Sequence, residues 1–329
     1  MEDGAVILPV VTPGRFVSGR TPDRRFWHEA LFYSGGEDFV RRTSAFVRDG
    51  LAAGEPVLIL LIGPKIDLLR QELGSDADRI QLGDMAEIGR NPGRIISRWQ
   101  EFVDERGASG GRVRGIGEPI WAERTAEELV EAQRHESLLN LAFIGSPAWV
   151  LCPYDVATLD RSVIEEAYRS HPIITNGDAG LTSETYRRLG DVARPFDDPL
   201  EPAPRSAESF QLSIEDLSAM RHLLIDRAAK FGLSPERSAD FVLAANEVAS
   251  NSLRYGAGAM TLRTWDDGDA LVCDVSDEGR IASPLAGRRR PSAGDPSGYG
   301  LWLANELCDL VQLRSFADGS TVRLRMIRR

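Results

Sequence analysis

Residues 56–62, Pro56-Val57-Leu58-Ile59-Leu60-Leu61-Ile62, are apolar without alternation. A half-exposed strand alternates polar and apolar positions, so this run reads as a strand covered on both faces, as inside a parallel sheet. Parallel strands need crossover segments to bring the chain back. Helical patterning over residues 37–53, 92–106, 124–142 and 155–169 supplies them, and further strands read over residues 79–82, 112–116 and 148–152. This order places residues 26–190 in an α/β domain with a mainly parallel sheet, preceded by an irregular arm at 1–25.

Periodicity stops near Gly190. Pro195, Pro199, Pro202 and Pro204 alternate there with Asp197, Asp198 and Glu201, and residues 191–210 read as a linker. A second domain over 211–329 opens with a helix whose Ile214, Leu217, Met220, Leu224, Ala228 and Phe231 share one face. Gly232 suits its end, and Ser234 with Pro235 suits the start of the next helix. Strands over 260–265 and 270–276 flank the turn Asp266-Asp267-Gly268, and Leu271, Cys273 and Val275 alternate as in a half-buried strand. A helix near 299–310 and two closing strands complete an α+β domain.

A chain of 329 residues accommodates two such domains, and 42% hydrophobic with 27% charged residues is a globular balance. The net charge of −11 excludes a general nucleic-acid or anionic-membrane binder. No stretch approaches the roughly 20 apolar residues of a membrane span. The start, Met1-Glu2-Asp3, lacks the basic character of a secretory signal. Cys152, Cys273 and Cys308 sit in apolar runs, which suits reduced thiols in a cytoplasmic protein. His28, His135, His171 and Cys152 are not at ligand spacing, so no metal site is expected from them.

Four pieces of the second domain carry chemistry together. Glu247 and Asn251 are four residues apart in a helix, so both project from one face; a carboxylate there can take a proton and a carboxamide can hold Mg²⁺ through oxygen. Asp277-Glu278-Gly279 follows a strand, where an aspartate can accept from an adenine amino group and glycine admits the ring. Gly298-Tyr299-Gly300-Leu301 opens a helix whose free N–H groups favour phosphate. Gly319-Ser320-Thr321 leads into the last strand. Taken singly, these are a polar helix stripe, an ordinary turn, a glycine loop and a hairpin.

In this order the four resemble the nucleotide-binding boxes of the GHKL (Bergerat) ATPase superfamily over residues 211–329. The segments Gly232-Leu233-Ser234-Pro235-Glu236-Arg237 and Asn251-Ser252-Leu253-Arg254-Tyr255-Gly256 most resemble its anti-sigma-factor serine-kinase branch. The resemblance implies a Bergerat sandwich that uses ATP and Mg²⁺. Glu247 would be the general base, Asn251 the Mg²⁺ ligand, Asp277 and Gly279 the adenine readers, Gly298 and Gly300 the phosphate cradle, and Thr321 a supporting contact near the adenine. It implies an anti-anti-sigma (STAS) protein and a sigma factor as partners, and pairing into a homodimer. Ile281 stands where many relatives carry a second glycine, which bears on the lid over 281–297. Within that lid Arg288, Arg289 and Arg290 would reach the γ-phosphate or an acidic partner, or form a solvated basic run.

In the first domain, Gly63-Pro64-Lys65 does not make a phosphate loop. Phe32-Tyr33-Ser34, Gly117-Glu118-Pro119-Ile120-Trp121, His135-Glu136-Ser137-Leu138-Leu139-Asn140 and Cys152-Pro153-Tyr154-Asp155 resemble the MEDS sensory family over about 26–190. That family is similar to the RecA/KaiC-like fold without its phosphate loop, and the resemblance implies a sensory role. Glu118, Trp121, Tyr154 and Asp155 fall at or beyond strand ends, where open α/β sheets place ligands, and are the candidate sensory pocket. Three functions are therefore weighed: a serine kinase acting on a STAS partner, a sensor histidine kinase using His135, and a nucleotide-gated binding module without transfer.

Overall fold

The computed structural model describes residues 26–107, 111–175, 180–187, 196–256, 260–292 and 298–329. The expected arm at 1–25, residues 188–190 at the end of the expected first domain, residues 191–195 of the expected linker, and residues 293–297 of the expected lid lie outside the described residues. The first domain runs β1 (Trp27–Tyr33), α1 (Gly35–Ala52), β2 (Val57–Leu61), α2 (Gly63–Leu73), β3 (Gln81–Asp84) and α3 (Met85–Ile88). It continues with α4 (Ile95–Gly107), β4 (Val113–Gly117), α5 (Ala126–Ala142), β5 (Ala148–Asp155), α6 (Arg161–Ser170), β6 (Ile173–Thr175) and β7 (Gly180–Thr182). The second runs β8 (Glu208–Leu212), α7 (Leu217–Phe231), α8 (Pro235–Tyr255), β9 (Met260–Asp267), β10 (Ala270–Asp277), α9 (Tyr299–Leu307), β11 (Leu310–Phe316) and β12 (Gly319–Ile327).

The first sheet has the order β3-β2-β4-β5-β1-β6-β7, parallel throughout except for the β6–β7 pair at one edge. β2 is buried at every position, as its unbroken apolar run requires. Two cores cover its faces: Ile59, Leu61, Leu31, Phe39 and Val47 on one side, and Leu58, Leu60, Trp99, Ile96 and Leu138 on the other. α5 starts at a capping box in which Thr125 and Glu128 satisfy each other's backbone N–H groups. Its buried side is unusually polar, with Glu131, Arg134, His135, Glu136 and Asn140 all nearly inaccessible.

The second sheet is antiparallel, β11-β12-β10-β9-β8, with α7, α8 and α9 packed on one face over Leu262, Leu271, Cys273, Leu324 and Met326. Gly232 ends α7 in the left-handed region at φ 90°, and Ser234 caps α8 by accepting from the N–H of Arg237.

Some elements depart from expectation. β1 was not anticipated, because His28 and Glu29 sit inside a buried strand and break its apolar signature. β8 takes up the last part of the expected linker, ahead of the expected opening helix, which forms as α7; its five residues alternate between half-buried and exposed, as an edge strand does. Ile214, expected on the apolar face of α7, is 70% exposed in a 3-10 turn ahead of it. The described part of the linker is not free chain. Phe196 is buried, and the carbonyls of Asp198 and Glu201 accept from Arg314 and Arg323 at 2.9 and 2.8 Å, which lays the segment along the outer face of the second sheet. Among the described residues no helix is long and apolar enough to cross a membrane.

The two domains are docked. Asn91 donates to both the carbonyl and the side chain of Asn305 at 2.9 and 3.0 Å, and Arg94 donates to the carbonyls of Asn305 and Glu306. Residues of the first domain thus satisfy carbonyls that the last turn of α9 leaves without intrahelical partners. Trp302 on α9 donates to Ser97 at 3.1 Å.

Candidate functional site

α8, the end of β10 and the start of α9 enclose a cavity of about 310 Å³. Asn251, Ser252, Tyr255, Asp277, Gly279, Gly298 and Ser320 line it, with Val248, Val275, Leu301 and Val322 as its apolar floor. This is the mix of apolar wall and few polar groups that a planar base with a polar tail requires.

Each polar group is held by local structure. Asp277 ends β10, and its two carboxylate oxygens accept from the N–H of Gly279 at 2.6 Å and from the hydroxyl of Ser252 on α8. Backbone approaches backbone here: a Cβ on Gly279 would lie 2.9 Å from the Cα of Gly256. Gly298 adopts φ 96° as the residue before α9, and Gly300, one turn into the site, is buried against Asn251. A Cβ there would meet the Asn251 side-chain nitrogen at 2.3 Å, so a larger residue at this position displaces the Asn251 carboxamide from where it stands. Glu247 stands one turn before Asn251 on α8 and is half-buried. The cavity therefore combines a carboxamide, an anchored aspartate and a helix N-terminus with φ-permissive glycine, while the Glu247 carboxylate stands one turn away and is not part of its lining.

Thr321 is placed differently from expectation. Its hydroxyl meets Ser276 at 3.0 Å, and it lines a separate cavity with the linker residues Pro199 and Pro202. Ser320 occupies the nucleotide-side cavity instead, donating to the carbonyl of Gly279 at 2.7 Å. Strand alternation explains the exchange: Val322 and Leu324 face the core, so Ser320 does too and Thr321 does not. That alternation was visible in the sequence and would have identified Ser320. Ser252, the partner of Asp277, carried no such signal.

The lid arginines are also placed differently. Arg288 donates to Glu131 on α5 at 2.6 Å, Arg289 to the carbonyl of Ala142, and Arg290 to Glu101 on α4 at 3.3 Å. All three turn to the first domain rather than to the cavity. Glu131, fully buried, also accepts from Arg314 on β11 at 2.8 Å. The acidic partner of the basic run is the chain itself.

Of the four residues of the expected sensory pocket, Glu118 and Asp155 bear on one another at the same end of the sheet, and Trp121 and Tyr154 take other partners. Glu118, at the end of β4, is buried with Lys65 and within 3.4 Å of the Tyr33 hydroxyl; burial pushes its carboxyl up to about 7 against the opposing pull of Lys65. Trp121 stacks under the guanidinium of Arg124 at 3.8 Å. Tyr154 packs instead against Phe32 and His171. Asp155 accepts from the N–H of Ala157 at 3.0 Å. His135, the expected phosphoacceptor of the histidine-kinase alternative, is 1% exposed, and burial pulls its imidazole down to about 3.

Two of the three histidines weighed with Cys152, namely His28 and His171 but not His135, also correct an expectation. Although they are far apart in sequence, His28, Cys152 and His171 converge with Glu136, each offering one ligand atom within 4.8 Å of the others.

Comparison with known proteins gives two family matches. Residues 27–172 match the family model for the MEthanogen/methylotroph, DcmR Sensory (MEDS) domain, and residues 210–326 match that for the histidine kinase-like ATPase domain. Among curated proteins none matches. Similar solved structures include the RsbU and RsbW domains of Rv1364c from Mycobacterium tuberculosis, at 21% identity and TM-score 0.29, covering 38% of this chain and 33% of that one. The Acinetobacter baumannii histidine kinase AdeS is similar at 13% identity and TM-score 0.22, covering 36% of this chain and 67% of that one. The alignment thus spans only a third of the Mycobacterium protein.

Proposed function

From a chain that joins a MEDS sensory domain to a histidine kinase-like ATPase domain, we propose an ATP-dependent serine kinase that acts on an anti-anti-sigma (STAS) protein, and so controls a sigma factor under sensory input. The observation that carries the proposal is the convergence of Asn251, Asp277, Gly279 and Gly298 on one cavity, with Glu247 one turn from Asn251. The serine acceptor rests on the sequence resemblance of residues 227–256.

In this reading Asp277 accepts from the adenine amino group, and the N-terminal turn of α9 receives the phosphates through its free N–H groups. Asn251 would hold Mg²⁺, which neutralises phosphate charge when bound. Glu247 accepts the proton of the attacking serine as the serine oxygen bonds to the γ-phosphorus; the bond from that phosphorus to the bridging oxygen breaks and ADP leaves. Positioning and charge neutralisation then account for most of the rate. The apolar groove of α7 and α8, with Ile225 and Leu243 exposed, is where we place homodimer pairing.

Incubation with Mg·ATP and a panel of STAS-domain proteins, read by intact mass before and after acid, tests this. An acid-stable addition on a partner serine, lost with Glu247→Ala, supports the reading. ATP binding with no addition on any partner would replace it with a nucleotide-gated binding module, a reading favoured by the docking of all three lid arginines on the first domain. The burial of His135 disfavours a histidine acceptor at that position.

A further inference from the structure

We propose that His28, Glu136, Cys152 and His171 form a closed tetrahedral site for one Zn²⁺ ion at the centre of the MEDS domain. The proposal is independent of the nucleotide site. It begins with where the topology puts these residues. His28 lies on β1 and Cys152 on the adjacent parallel strand β5; Glu136 comes from α5, and His171 follows α6. All four are 1% exposed or less.

Four of the six donor-atom separations lie near the edge length of a coordination polyhedron, and all are within 4.8 Å. His28 Nε2 lies 3.0 Å from Glu136 Oε2, and His171 Nε2 lies 3.3 Å from the same oxygen. Cys152 Sγ is 3.4 Å from both His28 Nε2 and Glu136 Oε2. Zinc bonds to nitrogen, oxygen and sulfur imply tetrahedral edges of about 3.3–3.6 Å between the ligand atoms.

Proton bookkeeping points the same way. The Asn140 amide nitrogen donates to the carbonyl of Ser170 at 2.8 Å, which orients its oxygen toward His28 Nδ1 at 3.2 Å. His171 Nδ1 lies 2.9 Å from the carbonyl of Ala167. Each ring therefore carries its proton on Nδ1 when neutral, and each Nε2 aims a lone pair at the centre. With a carboxylate also present, the thiol of Cys152 is the one proton donor among four converging groups. His171 Nε2, 3.3 Å from Glu136 Oε2, and Glu136 Oε1, beside the Tyr154 hydroxyl, lack a well-formed hydrogen bond among the described residues. Buried acceptors facing one another are costly unless a cation lies among them.

The charge balance selects the ion. One thiolate, one carboxylate and two neutral imidazoles neutralise a divalent cation in a site whose four residues are buried from solvent. Sulfur and nitrogen donors favour Zn²⁺ over Mg²⁺ or Ca²⁺. On binding, the thiol proton is released to solvent and a Zn–S bond forms. Four protein ligands leave no open position, so the ion is structural: it ties β1, β5, α5 and α6 together. α5 also carries Glu131, which holds Arg288 and Arg314 of the ATPase domain.

The test uses the full chain, purified from zinc-supplemented growth and assayed for metal content, then stripped and reloaded with Co²⁺. The expected result is one zinc per chain and a tetrahedral cobalt spectrum with a thiolate-to-cobalt charge-transfer band. That band is lost in Cys152→Ser and kept in Cys273→Ser and Cys308→Ser. Should Cys152→Ser fail to fold, the band in the wild type together with its retention in the other two cysteine variants still assigns the ligand. A folded wild-type chain that contains no zinc and gives no charge-transfer band would overturn the proposal, and so would a band abolished by Cys273→Ser or Cys308→Ser.

Discussion

Arg288 donates to Glu131 over 2.6 Å, and this buried ion pair fastens the loop ahead of α9 to a helix in the core of the other domain. Arg314 reaches the second oxygen of the same carboxylate. A carboxylate between two guanidinium groups is stable in the interior only while both remain. Burial, with the like charges of Arg134 and Arg314 and against the pull of Glu131, brings the Arg288 guanidinium down to about 10. Glu131→Ala is therefore expected to destabilise the protein by about 3 kcal/mol, since it leaves two buried charges unpaired. Arg290→Ala, which breaks a contact 59% exposed on the arginine side, is expected to change stability little. Urea unfolding of the two variants checks the contrast, and equal losses would deny the pair its role.

The position of the Asn251 carboxamide rests on Gly300. Gly300→Val places side-chain atoms where Asn251 now sits, since even a Cβ would be 2.3 Å from its nitrogen. The expected outcome is ATP affinity weakened by roughly tenfold or more, about 1.4 kcal/mol, with the N-terminal domain unaffected. Titration with a fluorescent ATP analogue measures it; unchanged affinity would mean that the position of the Asn251 carboxamide does not matter for the nucleotide.

Glu118 makes stability depend on pH. Burial raises its folded pKa from 4.5 to about 7, so the folded state binds the proton more tightly than the unfolded chain. Its stabilising effect is fully present below pH 4.5 and is lost as pH rises through about 7. Glu118→Gln removes this dependence, a difference on the order of 3 kcal/mol between the two ends of the window. Unfolding midpoints of the wild type and the variant across that range should converge toward acid and separate toward pH 8, the variant being the more stable; parallel curves would exclude Glu118 as the source.

Much of the architecture was legible because burial leaves periodic marks. The run at 56–62 announced a central parallel strand, and Leu271, Cys273 and Val275 marked the core-facing side of an antiparallel one, although β10 is buried on both faces from Ala270 to Val275 rather than half-buried, because the linker side also covers it. β1 escaped because its polar residues, His28 and Glu29, are satisfied by partners more than a hundred positions away, and local pattern has no access to those. The same limit hid the four-residue cluster: Cys152 and His28 become neighbours only when β1 and β5 pair. At the nucleotide cavity the order of Glu247, Asn251, Asp277, Gly279, Gly298 and Gly300 was readable as a pattern. The exchange of Thr321 for Ser320 needed the strand register, and the destination of Arg288, Arg289 and Arg290 needed the docking of two domains.

The most direct measurement is calorimetric titration of the full chain with ATP, with and without Mg²⁺, beside the variants Asn251→Ala and Asp277→Ala. The account predicts one nucleotide per chain, Mg²⁺-dependent affinity that Asn251→Ala makes indifferent to the metal, and loss of binding with Asp277→Ala. A wild type that binds no nucleotide, or an Asp277→Ala variant that binds as the wild type does, would contradict it.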